Sequence, residues 1–145
     1  MIQRCDLVLG LYKTIFYAES GGQVGDQGAI SFSGGHGLVL DCVKHGKIFL
    51  HKVKLKEGSI SKNDKLKLTV DSSLRNSAAS HHSATHLMHA ALKHVLGNHV
   101  EQKGSLVDSN KLRFDFSHPK AVTKDQIQQI ELIVNQHILN NAEVS

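Results

Sequence analysis

The sequence predicts an α+β fold: a small antiparallel β-barrel-like lobe packed on an α/β lobe that holds one long helix, a β-hairpin and a C-terminal helix. Three observations carry this. Up to about Val70 the chain is a series of short β-prone runs separated by turn signals; from Ala84 the apolar residues switch to a helical period; past Gly97 a hairpin pattern precedes a second helical stripe.

The β-prone runs are Leu7-Val8-Leu9, Ala29-Ile30-Ser31-Phe32, Leu38-Val39-Leu40, Ile48-Phe49-Leu50 and Leu66-Lys67-Leu68-Thr69-Val70. Gly34-Gly35, His45-Gly46, Glu57-Gly58 and Asn63-Asp64 fall between them, at the spacing of a small barrel or meander. A polar passage from Asp71 to Ser80 follows, whose serines can cap the next helix by offering an oxygen to its free N–H groups. Ala84, Leu87, Met88, Ala91, Leu92, Val95 and Leu96 then recur at i, i+3, i+4, i+7, which predicts an amphipathic helix ending at Gly97-Asn98. Val100 to Val107 and Lys111 to Phe116 flank Asp108-Ser109-Asn110 as a hairpin. Leu112, Phe114 and Phe116 alternate inward there, and Arg113 and Asp115 share the other face. After Pro119, Thr123 with Gln126 makes a capping-box start, and Ile127, Ile130, Ile133, Val134 and Ile138 continue as a second amphipathic helix.

With 145 residues and a mass of 15.9 kDa, the chain has room for one domain or two small lobes sharing a core, here divided as residues 1–72 and 73–145. No apolar run approaches bilayer length, so a membrane partner is not expected. Met1 to Asp6 has no signal-peptide core, and a cytoplasmic location is expected. Cys5 and Cys42 stand far apart without further cysteines, which suits free thiols in a reducing compartment; Cys42, between Leu40 and Val43, reads as a buried strand residue. The net charge of +4 permits a polyanionic partner. Lys44, Lys47, Lys52, Lys54, Lys56, Lys62, Lys65 and Lys67 cluster in one stretch, but Lys52, Lys54 and Lys56 also alternate with Val53 and Leu55 as the wet face of a strand would.

His82-Ser83-Ala84-Thr85-His86 lies at the start of the helical stretch, with its imidazoles four residues apart. A helix presents two nitrogen ligands to one metal ion at this spacing. With His82 at zero degrees, His86 falls at about 40°, His89 and Lys93 lie close by, and the apolar stripe centres near 200°. The histidines are therefore expected to point away from the helix packing, and ordinary surface histidines are the plain alternative. His86 and His89, at i and i+3, form a rival pair that spacing does not separate from the first. A zinc protease helix needs Glu beside its first histidine; here that residue is Ser83, which excludes the protease chemistry. In the N-terminal half, Gly21, Gly22, Gly25 and Gly28 read as positive-φ positions in tight turns.

One family matches these features together. Phe16-Tyr17-Ala18-Glu19-Ser20-Gly21-Gly22-Gln23-Val24-Gly25-Asp26-Gln27-Gly28, then His82-Ser83-Ala84-Thr85-His86-Leu87-Met88-His89-Ala90-Ala91-Leu92, Gln102-Lys103-Gly104-Ser105-Leu106-Val107 and Leu112-Arg113-Phe114-Asp115-Phe116-Ser117-His118 occur in order. In these segments the chain resembles the editing domain of alanyl-tRNA synthetases, and is similar also to free-standing alanyl-tRNA editing proteins and to the second additional domain shared by threonyl and alanyl synthetases.

The resemblance implies hydrolysis of serine or glycine wrongly attached to tRNA(Ala), at a site holding one zinc ion. It selects His82 and His86 as metal ligands over His89. It places Gln102 in the catalytic pocket, where an uncharged amide would orient substrate or water; the plain alternative is an exposed strand residue. Thr85 would set its hydroxyl towards the substrate side chain, unless it bonds its own helix backbone. Gln23 and Asp26 would be polar contacts to the acceptor end, which Gly21 and Gly22 would let approach. The family pattern adds a Cys-x-x-x-His pair further along, and no such pair occurs up to Ser145. The expectation is an editing domain cut short, inactive alone, binding zinc weakly or not at all. Its partners would be the tRNA(Ala) acceptor end and the remainder of the synthetase, whose aminoacylation domain would use ATP and magnesium. A free-standing deacylase and a non-catalytic tRNA-binding module are the alternatives.

Overall fold

The computed structural model describes residues 6–140. In chain order its elements are β1 (Asp6–Leu11), β2 (Gly28–Phe32), β3 (Gly35–His45), β4 (Ile48–Glu57), β5 (Lys67–Val70), α1 (Ser72–Leu96), β6 (Gln102–Val107), β7 (Leu112–Phe116) and α2 (Lys124–Asn140). The architecture is α+β, with the first five strands in one antiparallel sheet of order β1-β4-β3-β2-β5 and a separate β6-β7 hairpin. Of the barrel or meander expected, the barrel is not closed among the described residues: β1 and β5 are the two edges and the sheet stays open. The cause is local. β5 has four residues and pairs with β2, and directly after Val70 the Asp71 carboxylate accepts from the N–H groups of Ser73 (3.0 Å) and Leu74 (3.1 Å). The chain turns into α1 directly after β5.

Each β-prone run falls within a strand, save that Leu66 precedes the start of β5. Their inward residues Ile30, Val39, Cys42 and Val53 bury against Phe16, with Leu7, Leu9, Phe49 and Leu55 packed around them. Cys42 is fully buried, as its apolar flanks suggested, whereas Cys5 lies outside the described residues. Lys52 and Lys56 are exposed on the outer face. His51, unremarked in the sequence, is 1% exposed at the centre of this core. Its Nδ1 donates to the Leu9 carbonyl (3.4 Å), its Nε2 accepts from the Thr14 hydroxyl (2.8 Å), and Phe16 meets its ring edge-on. Burial disfavours the charged form and lowers its pKa below the ordinary 6.5. Burial, reinforced by the charges of Asp41 and Asp26, pushes the neighbouring Cys42 thiol up to about 11.

α1 begins earlier than its apolar stripe indicated. Ser72 is its first residue, so the polar passage is helix rather than connection, and Asp71 caps it rather than a serine. Ser80 instead donates to the Asn76 carbonyl within the helix (3.0 Å). Serine and asparagine are indifferent helix formers, and tertiary contacts override them here: Ala78 is buried and Arg75 pairs with Asp26. The far end closes as expected, with Gly97 at φ 114° and its N–H donating to the Lys93 carbonyl (2.9 Å).

A second core gathers Ala91, Leu92, Val100 and Ile130, flanked by Met88, Val95, Leu96, Phe114 and Phe116. The hairpin alternates as expected, with Arg113 and Asp115 paired at 3.2 Å on its outer face. α2 opens on a reciprocal capping box, in which Thr123 N–H donates to Gln126 Oε1 (3.0 Å) and Gln126 N–H to Thr123 Oγ1 (3.3 Å). Of its apolar stripe, Ile130 is buried while Ile127 and Ile138 remain exposed. The Gly-rich segment joins the two cores: Val24 N–H donates to the Val107 carbonyl (3.0 Å) and Val107 N–H to the Gly22 carbonyl (2.8 Å). Among the described residues no helix is long and apolar enough to cross a membrane.

Candidate functional site

The site begins at a tight turn. Ser20 and Gln23 exchange backbone hydrogen bonds at 3.1 and 3.0 Å across Gly21 (φ 59°) and Gly22 (φ 83°). Two successive positive φ angles are the demand of a two-residue hairpin turn, which glycine meets without steric cost. Gly22 has a second constraint: a Cβ there would collide with the Ser105 hydroxyl and lie 2.9 Å from the Ser105 carbonyl, whereas a Cβ at Gly21 would meet open space. The expectation of positive φ fails at Gly25 and Gly28. Glycine is required there by close packing, since a Cβ would collide with the Cys42 and Thr69 carbonyls respectively.

This turn sets Gln23, 7% exposed, against α1. His82 Nδ1 donates to Gln23 Oε1 at 2.7 Å. A carbonyl oxygen only accepts, so Nδ1 carries the proton and a neutral ring keeps its lone pair on Nε2. One turn on, the His86 ring stacks against that of His82, with centroids 5.1 Å apart and planes 16° from parallel. His89 packs instead against Phe114 at 5.1 Å, and its Nε2 is buried without a hydrogen-bond partner. The histidine face is thus not turned away from packing as expected. The Gly-rich segment covers His82 and the hairpin covers His89, leaving His86 exposed. His81, on a different side of the helix, donates from Nδ1 to the Asp108 carbonyl (2.7 Å) and ties α1 to the hairpin turn.

The remaining residues singled out from the sequence separate into two groups. Gln102 is exposed at the start of β6, and its Nε2 donates to Ser105 Oγ (3.3 Å), which reaches the Gly21 carbonyl (3.5 Å). β6 thereby brings Gln102 to the turn that holds Gln23. Asp26 faces elsewhere: its buried carboxylate accepts from Tyr17 N–H (2.7 Å) and from Arg75 Nε (2.9 Å) and Nη2. Arg75 also donates to the Ile15 carbonyl (2.6 Å), so this pair fastens the first turn of α1 to the Gly-rich segment. Thr85 is buried and donates to the His81 carbonyl (2.8 Å), the helix back-bond its sequence context allowed. Sequence reasoning missed Ser105 and Arg75. Ser105 lies within the Gln102-Lys103-Gly104-Ser105 motif, but its role depends on the partner Gly22, 83 positions away in the chain.

Among the described residues, no three of His, Cys, Asp or Glu gather as a metal group. His82 and His86 form a two-imidazole donor set, whose chemistry suits zinc and fills half of a tetrahedral shell.

The chain's likeness to known proteins is one of sequence. The family of tRNA synthetases class II (A) matches residues 1–74, just over half of the chain, and the chain belongs to that family. Its similarity within it is to alanine-tRNA ligases. That of Francisella tularensis subsp. tularensis (strain WY96-3418) is 52% identical over 143 residues, covering 99% of this chain and 16% of the relative. Those of F. tularensis subsp. novicida (strain U112) and F. philomiragia subsp. philomiragia are 54% and 51% identical over 138 residues, each covering 95% of this chain. The chain spans about 16% of the length of these relatives. Both site histidines lie beyond the family match at residue 74 and inside the stretch aligned with the ligases.

Proposed function

We propose that this chain contributes the helix-borne part of a proofreading site in an alanyl-tRNA synthetase, hydrolysing the ester that joins serine or glycine to tRNA(Ala). The observation that carries this is the convergence of His82 and His86 with Gln23 and, through Ser105, Gln102 at one glycine turn. Similarity to alanine-tRNA ligases across nearly the whole chain favours a synthetase over a free-standing deacylase. The need for such a site is physical. A pocket sized for alanine cannot exclude glycine by bulk, and rejects one added hydroxyl by only about 10²-fold, so a second sieve supplies the missing discrimination.

In this reading His82 and His86 hold zinc through ring nitrogens left free of other partners. When bound, the ion supplies Lewis-acid polarisation of the ester carbonyl or a water of lowered pKa. Gln102 orients the ester or the attacking water, since an amide both donates and accepts without exchanging a proton at neutral pH. The open space at Gly21 admits the acceptor end of tRNA(Ala). The Thr85 oxygen, whose proton is committed to His81, retains lone pairs that accept a hydrogen bond from the serine hydroxyl. Asp26 holds the turn in place through Arg75. Amino-acid activation, with ATP and magnesium, belongs to other parts of the synthetase.

The test is deacylation of seryl-tRNA(Ala) by a synthetase of the relatives' length carrying this segment, with His82→Ala and His86→Ala. Loss of deacylation with intact alanine charging is expected from both. Preserved deacylation in either variant would sink the assignment.

A further inference from the structure

We infer that Gln23 is a positioning residue for His82: its side-chain carbonyl fixes the imidazole in the Nδ1–H tautomer and aims the Nε2 lone pair outward as a ligand. The inference rests on the proposed reading for its metal, but its geometry stands without it. Gln23 is 7% exposed, and its Oε1 lies 2.7 Å from His82 Nδ1. A glutamine buried to this degree needs a specific partner, because an unsatisfied amide costs on the order of 1–3 kcal/mol.

The backbone around Gln23 shows how that partner is enforced. Its N–H and carbonyl are both engaged by Ser20 across the Gly21-Gly22 turn. The residues on either side are pinned to Val107, Gly22 through its carbonyl and Val24 through its N–H. The side chain therefore leaves a backbone held on three sides and meets His82 on α1, which is itself fastened to the same segment by Arg75 and Asp26. An imidazole without such a partner distributes its proton between both nitrogens, and any ring carrying it on Nε2 is lost as an Nε2 ligand. Second-sphere acceptors of this kind typically raise metal affinity 10–100-fold. Beside the substrate contact suggested for Gln23 by resemblance, which its amide NH₂ would still make, its oxygen acts on the histidine.

Two-bond ¹H–¹⁵N correlation NMR of the full 145-residue chain, above the ordinary imidazole titration range, reads the tautomer directly. The expected result is a single Nδ1–H form for His82, a shift towards Nε2–H in Gln23→Leu, and restoration in Gln23→Glu, whose carboxylate accepts the same proton. A wild-type His82 carrying its proton on Nε2 would overturn the inference, even if Gln23→Leu fails to fold; so would an unchanged tautomer in a folded Gln23→Leu. Zinc added to the same samples should half-saturate the His82 signals at a concentration about 10–100-fold higher in Gln23→Leu than in wild type. Equal midpoints, or no response in either protein, would overturn the metal-facing part. Failure of the deacylation assay leaves the tautomer result standing, so the two readings fail separately.

Discussion

Gly22 meets two demands at one residue, a positive φ and contact with Ser105 too close for a side chain. Gly21 meets only the first. Gly21→Ala is therefore expected to cost about 1 kcal/mol, and Gly22→Ala to cost more, on the order of 3 kcal/mol, because Ser105 must move as well. Urea denaturation of the two variants checks the order; equal costs would remove the contact with β6 from the account. His51 carries the other residue-level consequence. Its folded pKa is lowered by burial, so at acid pH the unfolded chain binds more protons than the folded one. Its contribution to stability is complete above about pH 6.5 and is lost as pH falls from there towards the folded value. Denaturant midpoints measured from pH 8 to pH 5 should fall over the acid side, and His51→Gln should flatten that fall.

At the scale of elements, α1 depends on its start. Asp71 accepts from two N–H groups of the first turn, and no acidic residue stands in that turn to assist it. Asp71→Ala is expected to destabilise the fold by about 1–2 kcal/mol, read by thermal unfolding, whereas Thr123→Ala should loosen α2 alone. The capping box of α2 was visible in the sequence because its two residues sit three apart and bond each other. The start of α1 was misplaced because what holds its first turns is distant: Arg75 bonds Asp26, 49 positions away. The hairpin was legible for the same local reason, its turn closed by Asp108 accepting from Asn110 (2.7 Å) and Lys111 (2.9 Å), bonds that also lower the Asp108 pKa.

At the scale of the molecule, two cores are joined by one glycine-rich seam, and the site lies along it. Among the described residues only two imidazoles face each other there, so the chain by itself should bind zinc weakly, because half of a tetrahedral donor set loses much of the binding energy and competes with protons. Isothermal calorimetry checks this, and tight one-to-one binding would overturn it.

The sequence by itself determined the strands, the end of α1, the hairpin, the capping box, the i, i+4 spacing of His82 and His86, and kinship with the synthetases through its motifs. Each of these is written in neighbours a few residues apart, or in an ordered set of motifs. Only the tertiary structure decided that the sheet stays open, that Asp26 serves Arg75, that Gly25 and Gly28 answer close packing, and that Gln23 holds His82 across 59 positions. The physical reason is the same throughout. Helix and strand periodicity comes from the local backbone, whereas the partner of a buried polar group is whichever one the folded chain brings within hydrogen-bond reach.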